Sequence, residues 1–222
     1  MNIIEEETDL DIFSDKEFDP EFLRKKIKQL RHQIQLYAVK DERFINSLCP
    51  LTVEKTASFI VRQMSNAGRL ARVGPMAAVA GAIAEALGRY MLRYKAKEVI
   101  VENGGDIFVK VNHPLKVGIY AGESPLNRKL RILIRPKQTP LGICTSSATV
   151  GHSFSLGQAD SVVILAKSAA VADAVATATC NQVKEEEDIP EAIEFAKSIP
   201  QVRGCIVIYK NKFACWGEVE FV

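Results

Sequence analysis

Two oxygen-bearing side chains stand four residues apart in the alanine-rich run Ala172-Asp173-Ala174-Val175-Ala176-Thr177. In a helix, residues at this spacing share one face. Every neighbour of Asp173 is small and apolar, so its carboxylate would be largely buried, which is costly unless it is paired or metal-bound. A carboxylate and a hydroxyl are hard oxygen ligands that suit Mg²⁺. The spacing indicates either a magnesium site at Asp173 and Thr177 or a structural pair. In the pair, Asp173 accepts helix-terminal N–H bonds and Thr177 bonds back to the backbone.

A pair of glycines follows a predicted strand in the segment Glu102-Asn103-Gly104-Gly105-Asp106. Glycine lets the backbone come close to a ligand and expose its N–H groups. The polar side chains beside the glycines would then orient that ligand. We therefore predict ligand-binding roles for Asn103, Gly104, Gly105 and Asp106, with a plain tight β-turn as the alternative.

A hydroxyl-rich segment, residues 144–153, lies between two predicted strands and holds five hydroxyls and one imidazole. Its N–H and O–H donors could hold a phosphate without any lysine, which makes Thr145, Ser146 and Ser147 candidate ligand-binding residues. His152 could act as a general acid or base near neutral pH. The alternative is a polar surface loop with a hydrogen-bonded histidine. The segment has no GxSxG pattern, which argues against a serine hydrolase.

Cys144 begins this segment and is the remaining candidate for chemistry. If it is exposed near N–H dipoles, its thiolate would be favoured and it could carry sulfur. A buried structural cysteine is the commoner case. The chain has five cysteines and no CxxC pair, which argues against a disulfide framework or a zinc ribbon.

The elements that must position these residues can be predicted from periodicity. The N-terminal half is expected to hold an edge strand at Thr8–Phe13 and an amphipathic helix at 20–38, entered through Asp19-Pro20. The basic residues on the other faces of this helix predict a solvated surface or a binding site for an acidic partner. A second helix is expected to start at Thr52 and end near Gly68. A third, with a nearly bulk-free start, is expected to run from Gly74-Pro75 to about Tyr94.

The C-terminal half is predicted to be rich in strands. Ile107–Val111 is expected to pair with Val117–Tyr120, and further strands, a helix from about Ser168 to Asn181 and a final hairpin follow. The remaining predictions are strands at 98–101, 130–134, 141–144 and 161–166, a short helix at 190–198, and the hairpin at 205–221. Mixed strands and helices with hairpins predict an α+β fold.

Length and charge limit the classes of protein that need be considered. The 222 residues suggest a single domain over 1–222, or two lobes with an N-terminal helical part at about 1–95. The net charge of +2 gives no cationic field for nucleic acid or an anionic membrane. We find neither a transmembrane run nor a secretory signal and expect a cytoplasmic protein. Composition does not predict the oligomeric state, and an oligomer is possible.

Taken in order, these segments resemble the ApbE-like superfamily, and more closely its uncharacterised cytoplasmic branch. The resemblance rests on the runs at 73–81, 101–107, 144–147, 151–153 and 172–177 and extends over nearly the whole chain. It implies a mixed sheet flanked by helices. It also implies the activity of the superfamily: Mg²⁺-dependent cleavage of FAD, attachment of FMN to a Ser or Thr of an acceptor protein, and release of AMP.

The resemblance also implies residue roles. Asp173 and Thr177 match the metal ligands, and a backbone oxygen within Gly74–Gly81 completes the metal site. Gly104, Gly105 and Asp106 match the Gly-Gly-Asp turn, Thr145, Ser146 and Ser147 match a Thr-Ser-Gly stretch, and His152 matches a histidine. One segment of the family pattern, His-Ile-Ile-Asp-Pro-x-Thr-Gly, is reduced here to Gly151-His152-Ser153. Part of the flavin-side machinery is therefore expected to differ.

Three functional hypotheses remain open on the sequence. The first is an enzyme that cleaves FAD or a related nucleotide with Mg²⁺. The second is a sulfur-handling protein with a persulfide at Cys144, since relatives in this branch are associated with homocysteine formation in anaerobes; its partner would be a sulfur-pathway protein. The third is a non-catalytic protein that binds a nucleotide or a partner, with the basic helix at 20–38 as a docking element.

Overall fold

The computed structural model describes residues 1–148 and 157–222, in which ten strands and six helices form an α+β fold. The strands are β1 (Asn2–Glu5), β2 (Thr8–Ser14), β3 (Val99–Asn103), β4 (Asp106–Lys110), β5 (Leu115–Gly118), β6 (Arg131–Ile134), β7 (Leu141–Ser146), β8 (Ser161–Ala166), β9 (Val202–Tyr209) and β10 (Lys212–Gly217). The helices are α1 (Pro20–Lys40), α2 (Arg43–Asn46), α3 (Phe59–Ala71), α4 (Val79–Arg93), α5 (Ala169–Gln182) and α6 (Ile189–Lys197).

Eight of these strands form one antiparallel sheet in the order β1-β2-β3-β4-β7-β8-β9-β10, and β5 pairs with β6 in a separate two-stranded ribbon. Alternate side chains of the sheet enter two cores. In β8, Val162 and Ile164 join the core that contains the helices, whereas Val163 and Leu165 join the core that contains the ribbon. The sheet is therefore the middle of three layers, which explains why every residue of β8 is buried.

Helix α1 starts where the sequence predicts. The Asp19 side chain accepts a hydrogen bond from the Glu21 N–H at 3.0 Å, and Pro20 occupies the first turn. The apolar stripe is buried from Leu23 to Tyr37, and the helix ends at Lys40. Capping and periodicity together therefore predict this helix to within two residues.

The predicted start of the second helix at Thr52 is wrong, because α3 begins at Phe59 after Ser58. Residues 51–54 are non-helical, and the Glu54 carboxylate accepts a hydrogen bond from the Tyr37 hydroxyl at 2.6 Å. Val53 and Ala57 still pack against the core from this segment. Their apolar spacing thus reflects burial rather than helical periodicity, and tertiary contacts with α1 decide the local structure.

Two predicted strand relationships also need correction. Thr8–Phe13 is a strand, but it lies between β1 and β3, so β1 forms the sheet edge. Ile107–Val111 does not pair with Val117–Tyr120. Instead β4 pairs with β3 and β7, and β5 pairs only with β6. The predicted strand at 130–134 accordingly belongs to the ribbon and not to the main sheet.

The segment from Gly74 opens with a 3₁₀ turn, Pro75–Ala78, and then continues as α4. Its small residues allow close packing against β4 on one side and against α5 on the other. A Cβ placed on Gly88 would lie 2.2 Å from the Phe108 ring, and one placed on Gly81 would lie 2.3 Å from the Ala169 carbonyl oxygen. The lack of bulk in α4 is therefore required by its contacts with β4 and α5.

Over residues 1–148 and 157–222, no single helix has the length and apolar character needed to cross a membrane. The bent pair formed by Phe59–Ala71 and Pro75–Arg93, which meet at 104°, passes that test by length and composition only.

Candidate functional site

Helix α5 presents Asp173 and Thr177 to a cavity at one end of the main sheet. Asp173 and Thr177 are partly exposed and line the cavity, whereas all the remaining residues from Ala169 to Cys180 are buried. The helix lies flat on the sheet because Gly142 of β7 has no side chain, and a Cβ there would be 2.3 Å from the Ala169 Cα. The i, i+4 spacing thus places a carboxylate and a hydroxyl together as predicted.

The start of α4 provides main-chain groups beside Asp173. The Gly81 N–H donates to Oδ2 of Asp173 at 2.9 Å, and the Ala80 N–H also bonds to this carboxylate. The Ala80 carbonyl accepts a hydrogen bond from Nδ2 of Asn103 at 3.1 Å. Asp173 therefore does accept helix-terminal N–H bonds, as the structural alternative required, but from α4 rather than from its own helix.

The glycine pair forms the tight turn between β3 and β4. Gly104 and Gly105 have φ angles of +62° and +101°, which side-chain-bearing residues rarely adopt. Asn103 and Asp106 face each other across the turn as the last pair of the ladder. All four residues line the cavity. The turn interpretation and the ligand-binding interpretation are thus compatible at this position.

Asp106 has an unusual environment for a carboxyl group. It is 8% exposed, it accepts a hydrogen bond from the Thr145 N–H, and it lies beside the Cys144 thiol. Its Oδ1 atom has no hydrogen-bond partner in the part of the chain that the structure describes. Burial raises the pKa of Asp106 to about 7. A buried oxygen without a partner marks a place where a bound group would supply one.

The Asp173 carboxyl group is also electrostatically strained. Burial raises its pKa well above the usual carboxyl range, and the nearby Asp106 raises it further. Each of these two neighbouring carboxyl groups disfavours the ionisation of the other. A cation bound between them would reduce this repulsion. The donors there are carboxylate, hydroxyl and carbonyl oxygens, which fit Mg²⁺. Among residues 1–148 and 157–222, no three His, Cys, Asp or Glu side chains cluster as a metal site, so such a cation would need main-chain or ligand oxygens.

The cavity has a volume of about 860 Å³, at the large end of the range for small-molecule sites. Its polar end is formed by the glycine turn, the end of β7 and the exposed side chains of α5. Its apolar end lies between the sheet and the inner face of the ribbon. The apolar lining includes Phe13, Ile100, Ile107, Ile143 and Val163 from the sheet and Leu115, Val117, Ile119 and Ile132 from the ribbon side.

Charge in the cavity is strongly unbalanced. Among the described lining residues, the acids are Glu7, Glu102, Asp106 and Asp173, and the basic residue is Lys116 alone. Glu7 forms an ion pair with Arg31, which leaves Glu102, Asp106 and Asp173 as the other acids of the lining. Burial raises the pKa of each of these three groups, and once they are ionised they would repel an anionic ligand that is bound without a cation.

The structure brings together most of the predicted site residues. Those that line the cavity are Asn103, Gly104, Gly105, Asp106, Thr145, Ser146, Ser147, Asp173 and Thr177. His152 lies outside the described residues. Sequence reasoning missed Lys116 and the ribbon wall, since nothing in the sequence signals that residues 115–134 fold over the sheet. The roles of the predicted residues remain predictions.

Cys144 lies behind the cavity wall rather than in it. The side chain is fully buried, and its thiol donates to the Ala169 carbonyl oxygen at 3.3 Å. Burial raises the pKa of the thiol well above its usual range, and Asp106 and Asp173 add to the effect. The exposure that a sulfur-carrying role would require is therefore missing.

The three-layer fold and this cavity define an ApbE-like protein. Solved structures with the same fold include the flavin transferase ApbE from Vibrio cholerae, with a TM-score of 0.66 and 15% identity over 98% of this chain and 96% of that one. The flavinyl transferase ApbE of Pseudomonas stutzeri, in its apo form, gives a TM-score of 0.67 and 12% identity over 98% and 93%. At these identities the likeness establishes the fold.

The chain belongs to the family whose model is described as AbpE bacteria, which matches residues 1–201. It is 43% identical to the UPF0280 protein MJ1526 of Methanocaldococcus jannaschii over 85% of this chain and 78% of that protein. It is 39% identical to a UPF0280 protein of Methanospirillum hungatei over 96% and 85%. The family resemblance predicted from the motifs is thereby confirmed.

Proposed function

We propose that this protein binds FAD with Mg²⁺ in the cavity and transfers FMN to a Ser or Thr hydroxyl of an acceptor protein, with release of AMP. One observation carries the proposal: Asp173, Thr177, Asp106 and Ala80 line the same nucleotide-sized cavity, and main-chain N–H groups at the start of α4 bond to the Asp173 carboxylate. The proposal draws further support from the fold shared with proteins titled flavin transferases.

The metal would be held by Asp173, Thr177 and the Ala80 carbonyl, with Asp106 adjacent. This choice places the backbone ligand of the resemblance at Ala80, because Asn103 fixes that carbonyl beside Asp173. A bound Mg²⁺ would neutralise pyrophosphate charge and polarise the phosphoryl oxygens. The oxygen-only donor set fits such an ion, as does the Oδ1 atom of Asp106, which has no hydrogen-bond partner among residues 1–148 and 157–222.

The chain's own groups suit the remaining requirements of the reaction. The Gly104-Gly105 turn and the hydroxyls of Thr145, Ser146 and Ser147 offer donors to phosphate oxygens. The apolar end between sheet and ribbon would take a planar ring system out of water. His152 keeps its predicted role as the base that takes the proton of the acceptor hydroxyl.

In the proposed reaction the acceptor hydroxyl oxygen forms a bond to the phosphorus on the FMN side of the pyrophosphate. The bond from that phosphorus to the bridging oxygen breaks, and AMP leaves with this oxygen. The hydroxyl proton passes to the base, so no oxidant or reductant is needed. Holding both reactants in the cavity would lower the entropic part of the barrier.

Calorimetric titration of FAD with and without Mg²⁺, followed by chromatography, tests the proposal on wild type and Asp173→Ala. We expect Mg²⁺-dependent binding that is lost in Asp173→Ala, and AMP in the mixture once an acceptor is present. Binding without products, even with acceptor, would instead identify a non-catalytic nucleotide-binding protein. Absence of FAD binding by the wild type would refute the flavin assignment.

A further inference from the structure

The outward side of the β5–β6 ribbon is an exposed cationic surface, called here the outer ribbon face. Leu115, Val117 and Ile119 turn towards the sheet, as do Ile132 and Ile134 from the paired strand. Alternation along the strands then places the other residues outward. The outer ribbon face comprises Lys116, Gly118, Tyr120, Lys129, Arg131 and Leu133.

Positive charge on this face is not neutralised. Residues 115–135 contain five basic residues and one acidic residue, Glu123. In the part of the chain that the structure describes, Lys116, Lys129 and Arg131 form no ion pair. Arg135, at the end of β6, is different, since it holds Glu220 through two hydrogen bonds of 2.8 and 2.6 Å.

Helix α1, another basic element, is largely neutralised by the acidic N-terminal hairpin. Arg24 and Lys28 pair with Glu5, and Arg31 pairs with Glu6 and Glu7. Among the described residues, the ribbon therefore carries more unpaired positive charge than α1 does. A partner with negative charge would find its complement there.

The inner side of the same ribbon is a wall of the cavity. Leu115, Val117 and Ile119 line the cavity from this side, and Lys116, Gly118 and Tyr120 of the outer ribbon face also border it. A segment bound along the outer ribbon face would thus lie next to the cavity. We propose that this face docks an acidic segment of the acceptor protein and brings its Ser or Thr hydroxyl to the cavity, an inference that rests on the proposed function.

The chemistry of the face favours a protein segment over a nucleic acid. The two strands are four residues long, so the face spans a short peptide, and the net charge of the whole chain is only +2. Tyr120 and Leu133 add apolar contact area between the cations, and the Arg128 guanidinium stacks 5.5 Å from the Tyr120 ring centre. A mixed cationic and apolar strip suits acidic side chains flanking a hydroxyl residue.

The test uses fluorescein-labelled peptides of equal length that carry one Thr and either Asp and Glu or Asn and Gln around it. Anisotropy is measured with wild type, with Lys129→Glu/Arg131→Glu, and with the control Lys25→Glu/Lys55→Glu. Neither Lys129 nor Arg131 lines the cavity. We expect the acidic peptide to bind more tightly than the amide peptide. The ribbon variant should weaken this binding by about tenfold and the control should not change it.

Equal binding of the two peptides, or equal loss in the control variant, would overturn the inference. Tighter binding of a single-stranded DNA oligonucleotide of the same charge would also overturn it, in favour of nucleic acid. FAD titration of the same three proteins separates the two proposals. A ribbon variant that keeps Mg²⁺-dependent FAD binding but loses the peptide supports the docking face, whereas a wild type that binds peptide but not FAD contradicts only the proposed function.

Discussion

Thr177 and Thr179 lie on the same helix but face different surroundings. Thr177 opens onto the cavity, whereas Thr179 is fully buried and its hydroxyl has no partner in the described part of the chain. We expect Thr177→Ala to weaken Mg²⁺-dependent FAD binding by about tenfold or more, because an oxygen donor to the metal is lost. Thr179→Ala should leave that affinity unchanged. Equal affinities of the two variants in the calorimeter would remove Thr177 from the metal site.

The five cysteines differ in exposure, and this difference gives a second prediction. Cys49 and Cys215 are exposed, whereas Cys144, Cys180 and Cys205 are buried, and no disulfide joins any of them in the part of the chain that the structure describes. Burial raises the pKa of Cys205 to about 12 and that of Cys144 well above its usual range. In the folded protein we expect a disulfide reagent such as DTNB to modify the two exposed thiols quickly, and all five only after unfolding.

Rapid modification of Cys144, identified by peptide mass, would contradict this prediction and revive the sulfur-handling hypothesis. The matched control is Cys215→Ser, which should lower the number of fast thiols by one. Cys144→Ser should leave that number unchanged. The comparison therefore distinguishes a buried structural thiol from a reactive one.

At this scale the sequence predicts which residues line the cavity where the signal is local. The i, i+4 spacing of Asp173 and Thr177, and the glycine pair, each follow from a few neighbouring residues. The sequence does not predict that Ala80 and Lys116 belong to the cavity. Ala80 contributes main-chain groups, which no side-chain pattern marks, and Lys116 lies at the cavity only because the ribbon folds over the sheet. Contacts between residues distant in the chain leave no spacing to recognise.

At the scale of elements, α4 and α5 are joined by a buried polar cluster around Glu85. The Glu85 carboxylate is 3% exposed and accepts hydrogen bonds from the Ser168 hydroxyl at 2.6 Å and the Ala169 N–H at 2.8 Å. Arg89 donates to it at 2.7 Å. The carboxylate thereby caps the N-terminus of α5, where negative charge is favourable. This contact helps to fix the helix that carries Asp173.

We expect Glu85→Ala to lower the free energy of unfolding by about 3 kcal/mol, because it leaves buried donors without an acceptor. The control is Glu194→Ala, which removes the exposed carboxylate that pairs with Lys197 on α6 and should change the free energy by less than about 1 kcal/mol. Urea denaturation measures both. Similar midpoints for the two variants would show that the buried cluster contributes little.

Element prediction succeeded for α1, α5 and β8, where periodicity, caps and burial agree. It failed at Thr52, where an apolar spacing that looked helical belongs to an extended segment held against α1. The predicted pairing of Ile107–Val111 with Val117–Tyr120 was also wrong. Two strands lie near Ile107–Val111 in the chain, and the tight turn at Gly104-Gly105 pairs it with the preceding one, β3. Both failures arise where tertiary contacts outweigh local preference.

At the scale of the whole molecule, the cavity links ligand binding to folding stability. The folded pKa of Asp106 is about 7, above the usual carboxyl value of 3.8, so the folded protein binds more protons than the unfolded chain between these values. Stability from this group is complete below the unfolded pKa and is lost as the pH rises through the folded pKa. Without metal, the melting temperature should therefore fall between about pH 4 and about pH 7 and level off at higher pH.

The decisive measurement is the melting temperature of wild type and Asp106→Asn across this pH range, in EDTA and in Mg²⁺. In EDTA the wild type should lose on the order of 1 kcal/mol per pH unit between about pH 5 and about pH 6 and less above about pH 7. Asp106→Asn should show a flatter profile because its amide does not titrate. Mg²⁺ should raise the wild-type melting temperature more at the alkaline end, since it binds the ionised carboxylates. Asp9→Asn, an exposed substitution, controls for the general effect of removing an acid. If Mg²⁺ stabilises all three proteins equally at every pH, the cation does not bind beside Asp106, and the acidic end of the cavity is not a magnesium site.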